Sequence, residues 1–208
     1  FDWILIDTEH SPVELPNVID HLRAISNPDV ATLVRPAWND MVTIKRLLDQ
    51  GAQTILVPYV ENAEEARLAV AHTRFPPHGM RGVSGASRSS NYGLSADYFV
   101  EVDKELCVIV QIETLNALNN IENIASVNGI DAIFIGPSDL AASMGHLGNP
   151  LHPDVQAAID SGFKRLKAIG KPAGYLTGNE DEFRRRLADG VDFISFATDA
   201  VFIRNAAK

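Results

Sequence analysis

Seven short apolar runs punctuate the chain: WILID (3–7), ATLVR (31–35), TILVPY (54–59), CVIVQIE (107–113), AIFIGP (132–137), PAGYLT (172–177) and FISFA (193–197). Most are nearly continuous rather than alternating, and they are rich in Ile, Val and Phe. That is the pattern of strands covered on both faces, as in a parallel sheet. Between them lie stretches with helical spacing. Leu15, Val18, Ile19, Leu22 and Ile25 fall on one stripe. Further stretches span 41–51, 62–77, 152–172 and 181–190, and each runs into Gly or Pro at its end.

Strand and helix thus alternate along the chain with no linker or low-complexity tract, which predicts an α/β fold with a parallel sheet. No Gly-rich dinucleotide fingerprint follows any strand, which weighs against a doubly wound open sheet. The expected architecture is a (β/α)8 TIM barrel, with residues 1–208 forming one domain. Seven strands are counted and the chain opens directly on the first. The first β/α unit is therefore expected to be missing from the N-terminus, and restoring it brings the length near the ~250 residues typical of such barrels. The segment 74–105, rich in Gly, Ser and Arg, breaks the alternation and is expected to be a long functional loop.

Composition narrows the partners. Apolar content is 46%, charged content 22% and the formal net charge −9. An acidic protein lacks the basic footprint that nucleic acid requires, and no apolar stretch approaches the ~18 residues that span a bilayer. The single cysteine, Cys107, lies in an apolar run and is expected to be a core residue. One cysteine permits no disulfide within the chain, which fits a reducing, cytoplasmic compartment. The chain opens directly on a strand without the basic n-region of a signal peptide, and its true start is expected upstream.

The informative residues sit where apolar runs end. In a barrel, those ends carry the active site. The first run ends in Asp7, Glu9 and His10, and the second in Arg35 before Pro36. The fourth ends in Gln111 and Glu113, two apart and so on one face of the strand. The fifth leads into Ser138 and Asp139, which either cap the helix LAASMG or stand where its backbone N–H groups take a carboxylate or phosphate. Glu113 and Asp139 make a minimal two-carboxylate site for a hard ion, Mg2+ foremost and Mn2+ or Co2+ also accepted. His10 is the acid/base candidate, and Arg35 the residue to stabilise an oxyanion or clamp a carboxylate. Arg81 and Arg88, in the long segment, are candidates for the distal carboxylate of a diacid substrate.

These residues stand in segments with a family likeness: FDWILIDTEH, VRPAWND, IKRLLDQGAQTILVPYV, RFPPHGMRGVS, VQIET, GIDAIFIGPSDLAASMGHLGN and HPDVQ. Together, and in this order, they resemble the HpcH/HpaI family of metal-dependent pyruvate aldolases. The run RGVSGASRSSNYG with the later ADYF is similar to the branch that cleaves 2-dehydro-3-deoxyglucarate or 4-hydroxy-2-oxoheptanedioate. The resemblance implies retro-aldol cleavage to pyruvate and an aldehyde, without a Schiff base, in sugar-acid or aromatic catabolism. It implies Glu113 and Asp139 as metal ligands, with Gln111, Ser138 and Asp139 contacting pyruvate. His10 would be the acid/base, and Arg35 would stabilise charge on the keto oxygen. Asp49 would raise the basicity of a histidine. Because Asp49 falls at a helix end, on the face of a barrel opposite the site, that role calls for a displaced helix or a histidine across a subunit interface. The resemblance also implies a homo-oligomer, typically a hexamer. Two alternatives are a citrate-lyase-β-like acyl-CoA lyase, for which no site for the adenine and pantetheine arm is evident, and a non-catalytic oxoacid-binding barrel. The latter predicts loss of at least one of His10, Arg35, Glu113 and Asp139, and all four are present.

Overall fold

The computed structural model describes residues 1–25 and 29–208. Its strands are β1 (Trp3–Asp7), β2 (Ala31–Arg35), β3 (Thr54–Val57), β4 (Cys107–Ile112), β5 (Ala132–Ile135), β6 (Ala173–Thr177) and β7 (Phe193–Phe196). They form one seven-stranded sheet whose order follows the chain, β1 to β7. Each recorded pairing is parallel. A doubly wound sheet reverses its strand order at a switch point; this one does not reverse.

The helices are α1 (Leu15–Ala24), α2 (Met41–Asp49), α3 (Ala63–Thr73), α4 (Tyr98–Glu105), α5 (Leu115–Asn119), α6 (Ile121–Ala125), α7 (Pro137–Ser143), α8 (Pro153–Ala168), α9 (Glu180–Asp189) and α10 (Asp199–Ala206). Their limits have local causes. Asp40 caps α2 by accepting from the Thr43 N–H at 2.8 Å. Asn179 caps α9 in the same way at Glu182, and Gly190 closes that helix in the left-handed conformation. The seven predicted strands are all present. Several stop short of their apolar runs, because Pro58 and Gly136 lie in the connections beyond the strands and Pro137 already begins α7.

Two expectations are corrected. The 74–105 segment is not loop throughout: it holds a short 3-10 segment, Arg88–Gly93, and α4. The aromatic residues of α4, Tyr98 and Phe99, pack edge-to-face with Phe75. The helix after β5 begins earlier than LAASMG, with Gly136 as its N-cap and Pro137 in its first turn, so neither Ser138 nor Asp139 caps it.

The chain divides into two compact units. Phe1–Val60, Glu64–Val110 and Val127–Ile130 make the first. Its core includes Val34, Ile44, Leu48, Val57 and Val110, all at or near zero exposure. Glu61–Ala63, Gln111–Ser126 and Asp131–Lys208 make the second. Its core is built on Ile112, Ile121, Ile133, Ile135 and Ile159. Burying each such side chain contributes roughly 1.5–3 kcal/mol. Gly174, in β6 of this unit, is required by packing: a Cβ there would lie 2.3 Å from the Phe193 ring.

Candidate active site

In the first unit, β1 and β2 bring a charged cluster to their C-terminal ends. Asp7 and Arg35 are partners on the last rung of the β1–β2 ladder. The Arg35 guanidinium donates from Nε to Asp7 Oδ1 at 2.9 Å and from Nη2 to Oδ2 at 2.8 Å. This is the bidentate geometry that an arginine fork and a carboxylate favour. On its other side Nη1 lies 3.0 Å from Glu9 Oε2. Two carboxylates therefore hold one guanidinium from both edges. Asp7 also turns the chain, accepting from the Glu9 N–H at 3.0 Å and more weakly from the His10 N–H at 3.4 Å. Burial pushes the Asp7 carboxyl up, but Arg35 and the backbone N–H groups of Glu9 and His10 outweigh it and hold it below the usual carboxylate range. His10 lies just past this turn with its side chain 65% exposed, its Nε2 3.8 Å from Glu9 Oε2. It is presented outward on a braced segment.

Asp49 ends α2, and its Oδ1 accepts from Arg81 Nη2 at 2.8 Å. Arg81 is 1% exposed and donates also to the Tyr98 hydroxyl, with its guanidinium over the Phe75 ring at 4.5 Å. Among the described residues Asp49 and His10 share no contact. Arg88 donates to the Gln50 carbonyl at 2.5 Å. The structure thus gives Arg81 and Arg88 partners within the protein, and Arg81 is sealed from solvent, so Arg81 is not poised to meet a substrate carboxylate.

In the second unit, Gln111 is the last residue but one of β4, and Glu113 directly follows the strand. They are 3% and 2% exposed, and Gln111 Nε2 donates to Glu113 Oε1 at 2.6 Å. Burying an amide and a carboxylate at a strand end is costly unless the site uses them. Gly136, at the neighbouring end of β5, donates its N–H to the Ile112 carbonyl at 2.9 Å. A Cβ on Gly136 would stand 2.9 Å from Gln111 Nε2, Glu113 Cγ and Glu113 Oε1. Glycine here leaves the room that the Glu113 carboxylate occupies. Ser138 and Asp139 follow in the first turn of α7, Ser138 exposed and Asp139 partly buried. The backbone therefore brings Glu113 and Asp139 to two adjacent strand ends of one unit.

Glu113 and Asp139 offer carboxylate oxygens from two elements, one carboxylate buried and bonded by an amide, and oxygen donors are the type that could hold a hard divalent cation.

Sequence reasoning marked His10, Arg35, Gln111, Glu113, Ser138 and Asp139 but did not see how Asp7 and Glu9 would be engaged. The residue types, two acids ending one strand and an arginine ending the next, were legible, but which of them pair follows only from the ladder register. It also missed Trp38 and Tyr59, whose rings stack at 5.8 Å just beyond the ends of β2 and β3, both exposed.

Comparison with known proteins gives the family of the chain. The sequence profile of the HpcH/HpaI aldolase/citrate lyase family matches residues 1–206, and the chain belongs to that family. It is 51% identical over 207 residues to the hydroxypyruvate/pyruvate aldolase of Sagittula stellata, covering 100% of this chain and 82% of that protein. It is 49% identical over 209 residues to the 4-hydroxy-2-oxo-heptane-1,7-dioate aldolase of Klebsiella pneumoniae, covering 100% and 79%. A crystal structure of an HpcH/HpaI aldolase/citrate lyase family protein from Burkholderia cenocepacia superposes with a TM-score of 0.96 at 35% identity, covering 100% of this chain and 83% of that one.

Proposed function

We propose that this carbon–carbon lyase cleaves a 4-hydroxy-2-oxoacid, of the kind represented by 4-hydroxy-2-oxoheptanedioate or 2-dehydro-3-deoxyglucarate, to pyruvate and an aldehyde. The observation that carries the reading is the Gln111–Glu113 pair, buried at the end of β4 and kept open by Gly136. The aldolase activity named for two relatives near 50% identity supports it. The seven sequentially ordered parallel strands are read as part of a single (β/α)8 barrel domain.

Glu113 and Asp139 are assigned as ligands of a divalent cation, Mg2+ for preference. When bound, that cation supplies Lewis acidity at the 2-oxoacid end of the substrate, which favours the charge that develops as the bond breaks. Gln111 contacts the pyruvate moiety and, through its bond to Oε1, fixes the rotamer of Glu113. The first turn of α7, at Ser138 and Asp139, takes the pyruvate carboxylate. His10 removes the proton of the C4 hydroxyl. The C3–C4 electron pair then passes to C3, the C4 oxygen becomes the aldehyde carbonyl, and the resulting enolate of pyruvate is protonated at C3. Arg35, oriented by Asp7 and Glu9, stabilises negative charge at the keto oxygen. Asp49, which pairs with Arg81, is assigned to raise the basicity of a histidine, within its own chain or across an interface of a homo-oligomer.

The test is pyruvate release from 4-hydroxy-2-oxoheptanedioate and from 2-dehydro-3-deoxyglucarate, with Mg2+ and then with EDTA. Release that stops on chelation and returns with Mg2+ is expected. Release that survives complete metal removal would refute the assignment of Glu113 and Asp139.

A further inference from the structure

A second group of ligand-type side chains lies in the second unit, apart from the residues assigned above. The turn between α7 and α8 carries His146, His152 and Asp154 in the sequence HLGNPLHPD. The backbone winds this segment tightly. The His146 N–H bonds the Ala141 carbonyl, Asn149 N–H the His146 carbonyl, and His152 N–H the Asn149 carbonyl, at 2.8, 2.9 and 3.1 Å. Gly145 and Gly148, at φ of 83° and 76°, supply the left-handed steps that this winding needs. Pro153 then starts α8 directly after His152. The two imidazoles are stacked, with centroids 3.6 Å apart and planes 14° from parallel.

We propose that His146, His152 and Asp154 form a second metal site, suited to a transition cation of the Zn2+ class and chemically distinct from the oxygen-only site of Glu113 and Asp139. Asp154 Oδ2 lies 3.7 Å from His146 Nε2 and 3.7 Å from His152 Nδ1. That is too long for a hydrogen bond. It is close to the separation between donors around a tetrahedral ion, about 3.4 Å for bonds of about 2.1 Å. One donor atom from each of the three residues lies within 4.8 Å of the others. Asp154 is 71% exposed and free to close the difference, while one of the stacked rings must turn out of the stack, because an imidazole binds a metal within its own ring plane. Two imidazoles and one carboxylate prefer Zn2+, Co2+ or Ni2+ over Mg2+.

Two further features oppose binding. The Asp154 N–H bonds His152 Nδ1 at 3.3 Å, a long contact that coordination through Nδ1 would break. The start of α8 also bears the positive end of a helix dipole, which the Asp154 carboxylate offsets. Coordination would tie the α7–α8 turn to the first turn of α8 and leave further positions on the ion to water or an anion.

The experiment uses the metal-stripped protein with saturating Mg2+ present, so that oxygen-only sites are filled, and measures Zn2+ binding by equilibrium dialysis. A single tightly bound equivalent is expected, with X-ray absorption showing two imidazoles in the zinc shell. His146→Ala combined with His152→Ala should weaken that equivalent at least about tenfold, with Asp154→Asn in the same direction. The proposal is overturned if wild type binds no zinc under Mg2+, if the zinc shell contains fewer than two imidazoles, or if the double variant binds as tightly as wild type. Should the double variant fail to fold, Asp154→Asn decides, being an exposed substitution, and unchanged affinity overturns the proposal.

Discussion

Gly136→Ala adds one methyl group at the point where β5 meets the buried carboxylate. The backbone there has φ −87° and ψ 103°, which alanine adopts without strain, so the effect isolates contact. The new Cβ would meet Gln111 Nε2, Glu113 Cγ and Glu113 Oε1, each at 2.9 Å. Comfortable separations are about 3.5–4.0 Å, so all three atoms must retreat by about 0.6 Å or more. Neither side chain is loose, since both are buried and they are bonded to each other at 2.6 Å. Overpacking of this kind costs about 1–3 kcal/mol, which in a chain of this size lowers Tm by about 2–12 °C. The displacement falls on the assigned metal ligand, so the Mg2+ concentration for half-maximal pyruvate release should rise and kcat should fall even where the variant remains folded. The assay couples pyruvate to lactate dehydrogenase across a Mg2+ titration, beside a thermal melt. Gly178→Ala is the stability control, because its Cβ would meet nothing within 4 Å. A Gly136→Ala enzyme with wild-type Tm and Mg2+ dependence would refute the reasoning.

Three further outcomes follow from the geometry. Arg35→Lys keeps the charge but cannot donate to Asp7 from two nitrogens while also reaching Glu9, so kcat for pyruvate release should fall about 10²–10³-fold; a loss under threefold would show that orientation of the guanidinium is unimportant. Arg81→Met leaves the Asp49 carboxylate without its partner and removes the stacking on Phe75; since Asp49 retains some solvent, a cost near the lower end for a broken buried pair, about 3 kcal/mol, is expected by urea unfolding. His72, bonded through Nδ1 to Asn39 Oδ1 at 3.0 Å, is held below its ordinary 6.5 by burial, which outweighs the opposing attraction of Asp40. The unfolded chain therefore takes up that proton first, and the stability His72 contributes is whole above pH 6.5 and declines as the pH falls toward its folded value. Below that pH the urea midpoint of wild type should fall more steeply than that of His72→Gln, and parallel curves would exclude the effect.

Much of the fold was legible because its signals are local. A continuous run such as CVIVQI is covered on both faces, and the strand it forms is buried from Val108 onward. The C-terminal limits of strands were less legible, since Pro58 and Gly136 are apolar in character while their backbones lie in the connections beyond the strands. The helix α4 was hidden because its support comes from Phe75, more than twenty residues earlier, and a run of Gly, Ser and Arg gives no hint of that contact. Of the site, residue types at strand ends were readable, while their partners were not. Nothing in the order of residues says that Arg35 faces Asp7 and Glu9, or that Arg81 turns inward to Asp49. Those pairings depend on ladder register and on the path of a long connection, which sequence spacing does not encode.

The Asp7–Arg35 pair has a consequence for how the chain acquires its native pairing. Side chains along a strand alternate between faces, so a slip of β1 against β2 by a single residue would set Asp7 opposite Val34 or Pro36 and turn Ile4 and Ile6 to the wrong side. Either mispairing strands a carboxylate against an apolar neighbour and leaves the guanidinium without its fork. The ion pair on the final rung thus acts as a checksum for the hairpinless β1–β2 alignment: a chain that has paired these strands wrongly cannot complete the charged cluster, and the correctly paired one braces His10 as it closes.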